Sequence, residues 1–309
     1  MHESATLSYS IGDIWENHGC IAVDDIDGDV DCILQSGVVD TGEIGEYTLV
    51  YYAVDSAGNE AFLEVTKVVL YDASLLSMSL SAYYEDAEGL YGEALLEALR
   101  TIINTGVDLQ NYDAARDILQ IADQDPLNED NVILIYSGDS VLGTWDEGTT
   151  WNREHVWPNS RLGVNSPGGS TRNIATDLHN LRAIDPSVNN SRGNKLFDFE
   201  TTTSSYYPGE DRGDVARIYF YMMVMWDYLV LRDAHPAVDE ETYTIDGAVH
   251  GVLSALLVFH YDDPVDAFEI NRNEVIYSFQ NNRNPFIDYP HLVELLYWDY
   301  PTLISYLSG

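Results

Sequence analysis

Positive charge is what this chain has least of. Only 14 of its 309 residues are Lys or Arg, against 52 Asp and Glu, for a formal net charge of -38. Summed negative charge of that size repels polyanions at long range, which excludes broad nonspecific attraction to nucleic acid or to an anionic membrane. A small cationic cleft is still compatible with it. The excess acid reads first as a solvated surface or an adaptation to a salty, screened medium, and second as sites for divalent cations. Cysteine is scarce too. Cys20 and Cys32 match no zinc spacing and leave a local disulfide or two buried thiols, with the disulfide preferred. No apolar run spans a bilayer: the longest, Ile218 to Leu231, is interrupted by Asp227 and is too short. No secretion leader is visible, and the abrupt start at Met1 and His2 suggests part of a longer exported chain.

With 45% hydrophobic residues, the chain has enough apolar surface for one large core or two smaller ones. From Leu7 to Leu70 short alternating segments are separated by turn signals at Gly12-Asp13, Asp27-Gly28-Asp29, Gly42 to Gly45 and Ala57-Gly58-Asn59. Tyr47 to Val54 and Phe62 to Leu70 are rich in β-branched and aromatic residues, so this region reads as a β-sandwich of five to seven strands. Asp24, Asp25, Asp27, Asp29 and Asp31 offer hard oxygens to calcium. Their spacing lacks the glycine and terminal glutamate of an EF-hand loop, and a solvated acidic turn is the simpler reading. After a linker at residues 72–82 the pattern becomes helical. Helices are expected at Tyr91–Ile103, Asp113–Ala122, Asp214–Arg232, Val249–Phe259 and His291–Tyr297, and a strand buried on both faces at Asn131–Tyr136. The fold class is therefore α+β, with a small all-β domain at 1–74 and a larger domain at 75–309.

The cationic residues concentrate in one stretch, Trp151 to Lys195. It holds six Lys/Arg (Arg153, Arg161, Arg172, Arg182, Arg192, Lys195) against three acids (Glu154, Asp177, Asp185). Thr150 to Pro158 reads as a strand stopped by proline, Leu178 to Ala183 as a second strand, and Pro186 to Asn194 as a helix. Two strands followed by a helix place Glu154 and Asn189 across a short gap. Their oxygens suit Mg²⁺, and an ion with two protein ligands keeps open positions for phosphate. Mn²⁺ or Ca²⁺ is an acceptable substitute. His155, with an ordinary pKa near 6.5, can take a proton from an attacking water, and Arg172 and Arg192 can hold phosphate oxygens bidentately. Adjacent strand residues point to opposite faces, so joint action by Glu154 and His155 requires a bulge or a strand end at this pair.

Four segments in order, WNREHVWPNS (151–160), DLHNL (177–181), NNSRGN (189–194) and QNNRNPFID (280–288), together resemble the bacterial endonuclease I family of nonspecific nucleases with a ββα-metal site. The resemblance runs from about Tyr83 to Tyr297. It implies His155 as general base, Glu154 and Asn189 as Mg²⁺ ligands, an arginine on the phosphate and a 5′-phosphate product. Arg172, in Gly168-Gly169-Ser170-Thr171-Arg172, is the matching arginine, with Arg161 its rival. The N-terminal region, through Ala22 to Val30 and Gly45 to Asn59, resembles bacterial immunoglobulin-like modules, which serve as spacers or adhesive units. The implied partner is DNA, with RNA as a second substrate, contacted through phosphates by a secreted monomer that spans no membrane.

Against these readings stand plainer ones. His155 in isolation reads as a satisfied core histidine. His179 is expected to brace the strand pair, and Asn180 to hold the loop that orients His155. Arg192 has an acid such as Asp185 as an alternative partner, and Asn194, Arg283 and Asn284 read as packing and hydrogen-bonding residues. Two other functions compete: an extracellular binding protein whose larger domain is inert, and a zinc hydrolase built on His155, His179 and Glu154, disfavoured because no H-E-x-x-H pair is present.

Overall fold

In the computed structural model, residues 8–10, 14–17, 19–41, 45–70, 75, 77–232 and 248–297 are described. The expected turns at Gly12-Asp13 and before Gly45 lie outside those residues. Two compact units are found, the first made of the chain up to Ser79 together with the chain from Tyr297, and the second spanning Leu80–Leu296.

The first unit is organised on one long hairpin. Strands β5 (Gly45–Val54) and β6 (Glu60–Leu70) pair antiparallel along their length. At the connection Asp55 accepts from the backbone and side-chain nitrogens of Asn59 at 2.7 and 2.6 Å, and Gly58 takes a φ of 88°, a conformation open to glycine. The two-residue period of the strand then sorts the side chains: Leu49, Tyr51 and Ala53 are buried while Val54 is exposed. β4 (Cys32–Ser36) pairs with β5, and β1 (Ser8–Ser10) runs parallel to β6. A separate short pair joins β2 (Ala22–Asp24) to β3 (Gly28–Val30). Six strands among the described residues agree with the expected β-rich unit, and Cys20 and Cys32 are joined in a disulfide with Cα atoms 5.6 Å apart. Of the five aspartates considered for calcium, only Asp24 and Asp27 converge, together with Asp55. Hydrogen bonds within the turns account for them: Asp24 accepts from the N–H of Ile26 and Asp27, and Asp27 from Ser56.

The second unit begins with two helices whose apolar residues fall on one face. In α1 (Gly92–Asn104) Leu95, Leu99 and Ile103 are buried, and in α2 (Tyr112–Ala122) Ala115, Ile118, Leu119 and Ala122. Asn111 caps α2, its side chain accepting from the Ala114 N–H at 2.9 Å, as asparagine does at a helix start. A three-stranded sheet follows, β7 (Gln124–Asp125), β8 (Asn128–Ile133) and β9 (Ser140–Leu142). The strand expected at Asn131–Tyr136 thus starts earlier, is exposed over its first three residues, and stops before Tyr136, whose φ of 72° leaves the extended region.

Next come β10 (Asn152–His155), β11 (Leu181–Ile184) and α3 (Pro186–Arg192). The second strand starts three residues later than expected, because Leu178–Asn180 forms a 3₁₀ turn in which the Asp177 side chain accepts from the His179 N–H. Short parallel strands β12 (Leu196–Phe197) and β13 (Ser205–Tyr206) lead to α4 (Arg212–Met225), a helix buried on nearly all sides.

The helix expected over Asp214–Arg232 ends at Met225. Leu229–Arg232 is instead β14, paired parallel with β15 (Ala248–Val252). A ladder partner supplied from distant sequence leaves no trace in local periodicity. The helix expected from Val249 likewise starts only at Leu253, as α5 (Leu253–Asp262), because Gly251 has a φ of 97°. An unanticipated helix, α6 (Ala267–Gln280), buries Glu269, Arg272, Asn273 and Gln280 with Ile276, so its inner face is mostly polar and gives little apolar period. Short helices α7 (Pro285–Asp288) and α8 (Leu292–Leu296) complete the unit. Among the described residues, no helix is long and apolar enough to cross a membrane.

Candidate active site

β10 and β11 pair antiparallel in unbroken register: Asn152 with Ile184, Arg153 with Ala183, Glu154 with Arg182 and His155 with Leu181. An apolar cluster of Trp151, Leu178, Leu181 and Ala183 with Ile118, Leu119 and Val132 fixes this pair on α2 and β8. Asp185 then turns the chain into α3 by accepting from the N–H groups of Ser187 and Val188 at 2.7 and 3.0 Å. Pro186 occupies the first helical position, where its fixed φ suits the helix and its missing N–H costs no bond. The expected strand–strand–helix arrangement is present.

α3 brings Asn189 and Arg192 against β10. Asn189 Nδ2 donates to Asn152 Oδ1 at 2.8 Å. Arg192 is fully buried and donates to the carbonyls of His155 and Val156 at 3.0 and 2.6 Å and to Tyr219 Oη at 3.3 Å. Its Nη1 is also 3.0 Å from Glu154 Oε1, which accepts from Tyr136 Oη at 3.0 Å as well. The expectation that Arg192 holds phosphate is corrected by its burial, which leaves no surface from which to do so; it neutralises Glu154 instead. The acid it meets is Glu154 rather than Asp185. Burial raises the Glu154 carboxyl above its ordinary range, and Arg192 and Tyr136 oppose the rise.

His155 lies on the other face of the strand. Its ring stacks on Tyr112 with centroids 5.9 Å apart, and Nε2 is 2.8 Å from the Ala175 carbonyl oxygen. A carbonyl only accepts, so Nε2 carries the hydrogen and Nδ1 is the basic nitrogen of the neutral ring. Burial pushes the imidazole down to about 4, with further repulsion from Arg153 and Arg192. At neutral pH the ring is an unprotonated base.

No bulge separates Glu154 from His155. The pair stays in regular antiparallel register at the end of β10, so the two side chains leave opposite faces of the strand. This runs against the expectation that both serve one site, since a regular pleat separates them. Glu154 contacts Arg192 and Tyr136, whereas His155 contacts Tyr112 and Ala175.

Asn180 is buried and touches no open surface. Its Oδ1 accepts from the Trp157 N–H at 2.7 Å and its Nδ2 donates to the Trp157 carbonyl at 3.1 Å, so it clamps the chain two residues beyond His155. Arg172 is exposed and ion-paired with Asp108 at 3.3 Å, and it donates to the Leu109 carbonyl at 2.8 Å; the structure does not bring it to His155 or Glu154. His179 is buried against Tyr221, with Nε2 3.3 Å from the Asn282 carbonyl, in keeping with a bracing role. Arg283 pairs with Asp288 and Glu274, and Asn284 caps α7.

Sequence reasoning missed Tyr136, Ala175, Asn152 and Tyr112. Asn152 and Arg153 were within reach of it, because strand alternation puts Asn152 on the Glu154 side and Arg153 on the His155 side. Tyr136, Tyr112 and Ala175 arrive from elsewhere in the chain and have no local signal.

Glu154, Asn189 and Asn152 carry oxygens of the kind a hard divalent cation takes; Glu154 Oε1 is engaged by Arg192 and Tyr136, and Asn152 Oδ1 by Asn189. Asn189 uses its Nδ2 toward Asn152, which leaves its own oxygen on the other arm of the amide. A cleft of about 460 Å³, lined by Ser160, Val164, Asn165, Ser166, Thr171 and Asn173, opens along the loop that ends at Ala175.

Comparison with known proteins gives the family. The family model for endonuclease I matches residues 91–211 and 207–291, and that for the Ig-like domain of bacterial surface proteins matches residues 1–69. An extracellular ribonuclease of Bacillus subtilis (strain 168) is 38% identical over 242 residues, which cover 70% of this chain and 81% of that protein. An extracellular ribonuclease of Bacillus amyloliquefaciens is 36% identical over 255 residues, 77% of this chain and 84% of that protein. The stretch that carries Glu154, His155 and Asn189 lies inside the matched region, and the chain belongs to the endonuclease I family, as a hydrolytic nuclease behind a bacterial Ig-like module.

Proposed function

We propose that the protein is an exported, sequence-nonspecific endonuclease that hydrolyses phosphodiester bonds of DNA and RNA and leaves 5′-phosphates. The observation that carries this reading is the 2.8 Å approach of His155 Nε2 to the Ala175 carbonyl oxygen, from which follows a neutral ring with Nδ1 as its basic nitrogen. In this reading the scissile phosphate lies across the end of β10, and Nδ1 takes a proton from the water that attacks phosphorus. Glu154 and Asn189, with Asn152 beside them, hold one Mg²⁺, for which Mn²⁺ or Ca²⁺ can stand in. When bound, the ion supplies charge stabilisation at the phosphate and the leaving oxygen. Arg192 keeps the Glu154 carboxylate ionised and in place, and Asn180 fixes the chain beyond His155.

Attack by water does not need a 2′-hydroxyl, so the same groups serve both sugars. The relatives named as ribonucleases support RNA as a substrate, and their extracellular description together with the Ig-like module supports export. Residues 1–74 act as a separate spacer or adhesive domain, and residues 75–309 carry the chemistry. End-group analysis of oligonucleotides cut with Mg²⁺ present tests the reading. Products with 5′-phosphate from both DNA and RNA are expected; RNA-restricted cleavage leaving 2′,3′-cyclic ends would sink it.

A further inference from the structure

Arg153 sits on the His155 side of β10, two residues earlier, with its guanidinium carbon 3.5 Å from the centroid of the Tyr112 ring and 5.3 Å from that of Trp145. One N–H donates to the Tyr112 carbonyl, out of five that a guanidinium carries. Tyr112 also stacks on His155, so Trp145, Arg153, Tyr112 and His155 form one column at the side of the site. Arg153 is half-buried, enough to be held and not enough to be hidden.

Among the described residues its charge has no acid in contact, unlike that of three other arginines of the stretch. In the same stretch Arg172 pairs with Asp108, Arg182 with Asp123 and Asp214, and Arg192 with Glu154. Among the described residues no carboxylate makes an ion pair with Arg153; Asp113 is near enough to be felt as charge and not in contact, and its own pairing is with Arg116. In a chain with 52 acids, a partly exposed guanidinium with no acid in contact, pinned on an aromatic face, is a prepared anion site. Cation–π contact fixes the plane of the group while leaving its N–H edges able to donate. Alternate residues on one face of a strand are about 7 Å apart, close to the separation of neighbouring phosphates along a single nucleic-acid strand.

We propose that Arg153 binds the phosphate adjacent to the one presented to His155, so that the enzyme reads two consecutive phosphates and prefers a strand over an isolated diester. The inference rests on the nuclease reading above. Arg153 touches substrate and not the reacting atoms, and Tyr112 sets its position. Its loss therefore removes the contribution of one particular flanking phosphate and leaves the chemistry at the scissile bond.

The test uses the full chain with Mg²⁺ and single-stranded tetranucleotides in which the linkage on the 5′ or the 3′ side of the central bond is a neutral methylphosphonate. For wild type, kcat/KM at the central bond should fall about 10- to 100-fold when one of the two flanks is neutralised, the range expected of a charge-assisted hydrogen bond. Arg153→Gln should lose a similar factor on the native strand and be indifferent to that same flank. Arg153→Lys, which keeps the charge, should retain part of the flank sensitivity, and it carries the test if the glutamine variant fails to fold by circular dichroism. Equal flank responses in wild type and both variants overturn the inference and leave the nuclease reading standing. A wild type that cuts none of the strands, including the native one, overturns both.

Discussion

The Arg192 guanidinium lies 3.0 Å from the Glu154 carboxylate, and both side chains are withdrawn from solvent. The same nitrogen donates to the carbonyl of His155 at 3.0 Å. One buried cation therefore ties together the charge of the metal-ligand candidate and the backbone of the base candidate.

Removing that cation leaves a buried carboxylate uncompensated. Arg192→Met should cost about 3–5 kcal/mol of stability, the usual penalty for breaking a buried pair from one side. Replacing both partners, Glu154→Gln with Arg192→Met, should recover much of the loss. Urea unfolding midpoints at constant slope measure both variants; a double variant no more stable than the single one would count against the pairing.

The pH profile follows from the imidazole. A base whose ring is held at about 4 is neutral and competent above that value, and it is lost only as pH falls through it. The rate should stay level from neutral pH down to about 5 and drop near 4 instead of near the ordinary 6.5 of histidine. His155→Ala should abolish cleavage at every pH. A wild-type rate that halves near pH 6.5 contradicts the half-buried, neutral ring.

Asn180 offers a separation of position from chemistry. Asn180→Ala removes two buried hydrogen bonds to Trp157 and leaves its backbone N–H without that acceptor. It should cost about 2–3 kcal/mol and lower kcat with KM nearly unchanged. A rise in KM with unaltered kcat would instead mark Asn180 as a substrate contact.

Metal dependence is checked at the two ligand candidates. Chelation should stop cleavage, and added Mg²⁺ or Mn²⁺ should restore it. Glu154→Gln and Asn189→Ala should each raise the Mg²⁺ concentration for half-maximal rate about tenfold or more. Unchanged metal titrations in both variants would place the ion elsewhere.

Salt reports on the acidic envelope. With a formal charge of -38, the protein repels a polyanionic strand beyond the reach of its local arginines, and that repulsion is screened over about 10 Å at 0.1 M ionic strength. Activity should hold or rise as salt is added to moderate levels. Steep inhibition by the first increments, measured as kcat/KM at fixed Mg²⁺, would mean that attraction dominates.

The residues themselves determined a good deal. The β-rich first unit, the amphipathic helices α1 and α2 and the strand–strand–helix around Glu154, His155 and Asn189 were legible because each repeats a local pattern: alternation, helical spacing, proline and aspartate at element boundaries. Folding alone decided which groups meet. Arg192 reads in the sequence as a phosphate contact or as a partner of Asp185, and only packing of α3 on β10 shows that it is enclosed with Glu154. The strand at Leu229–Arg232 and the turn at Gly251 hid inside apolar runs that suit helix and strand equally, and their ladder partners are remote in the chain. α6 was hard to see because four of its five buried residues are polar or charged, with Ile276 the exception. The tautomer of His155 and the seat of Arg153 on Tyr112 depend on a carbonyl and a ring delivered from other segments. Periodicity fixes which way a side chain points within its own element; what waits there is set by the rest of the fold.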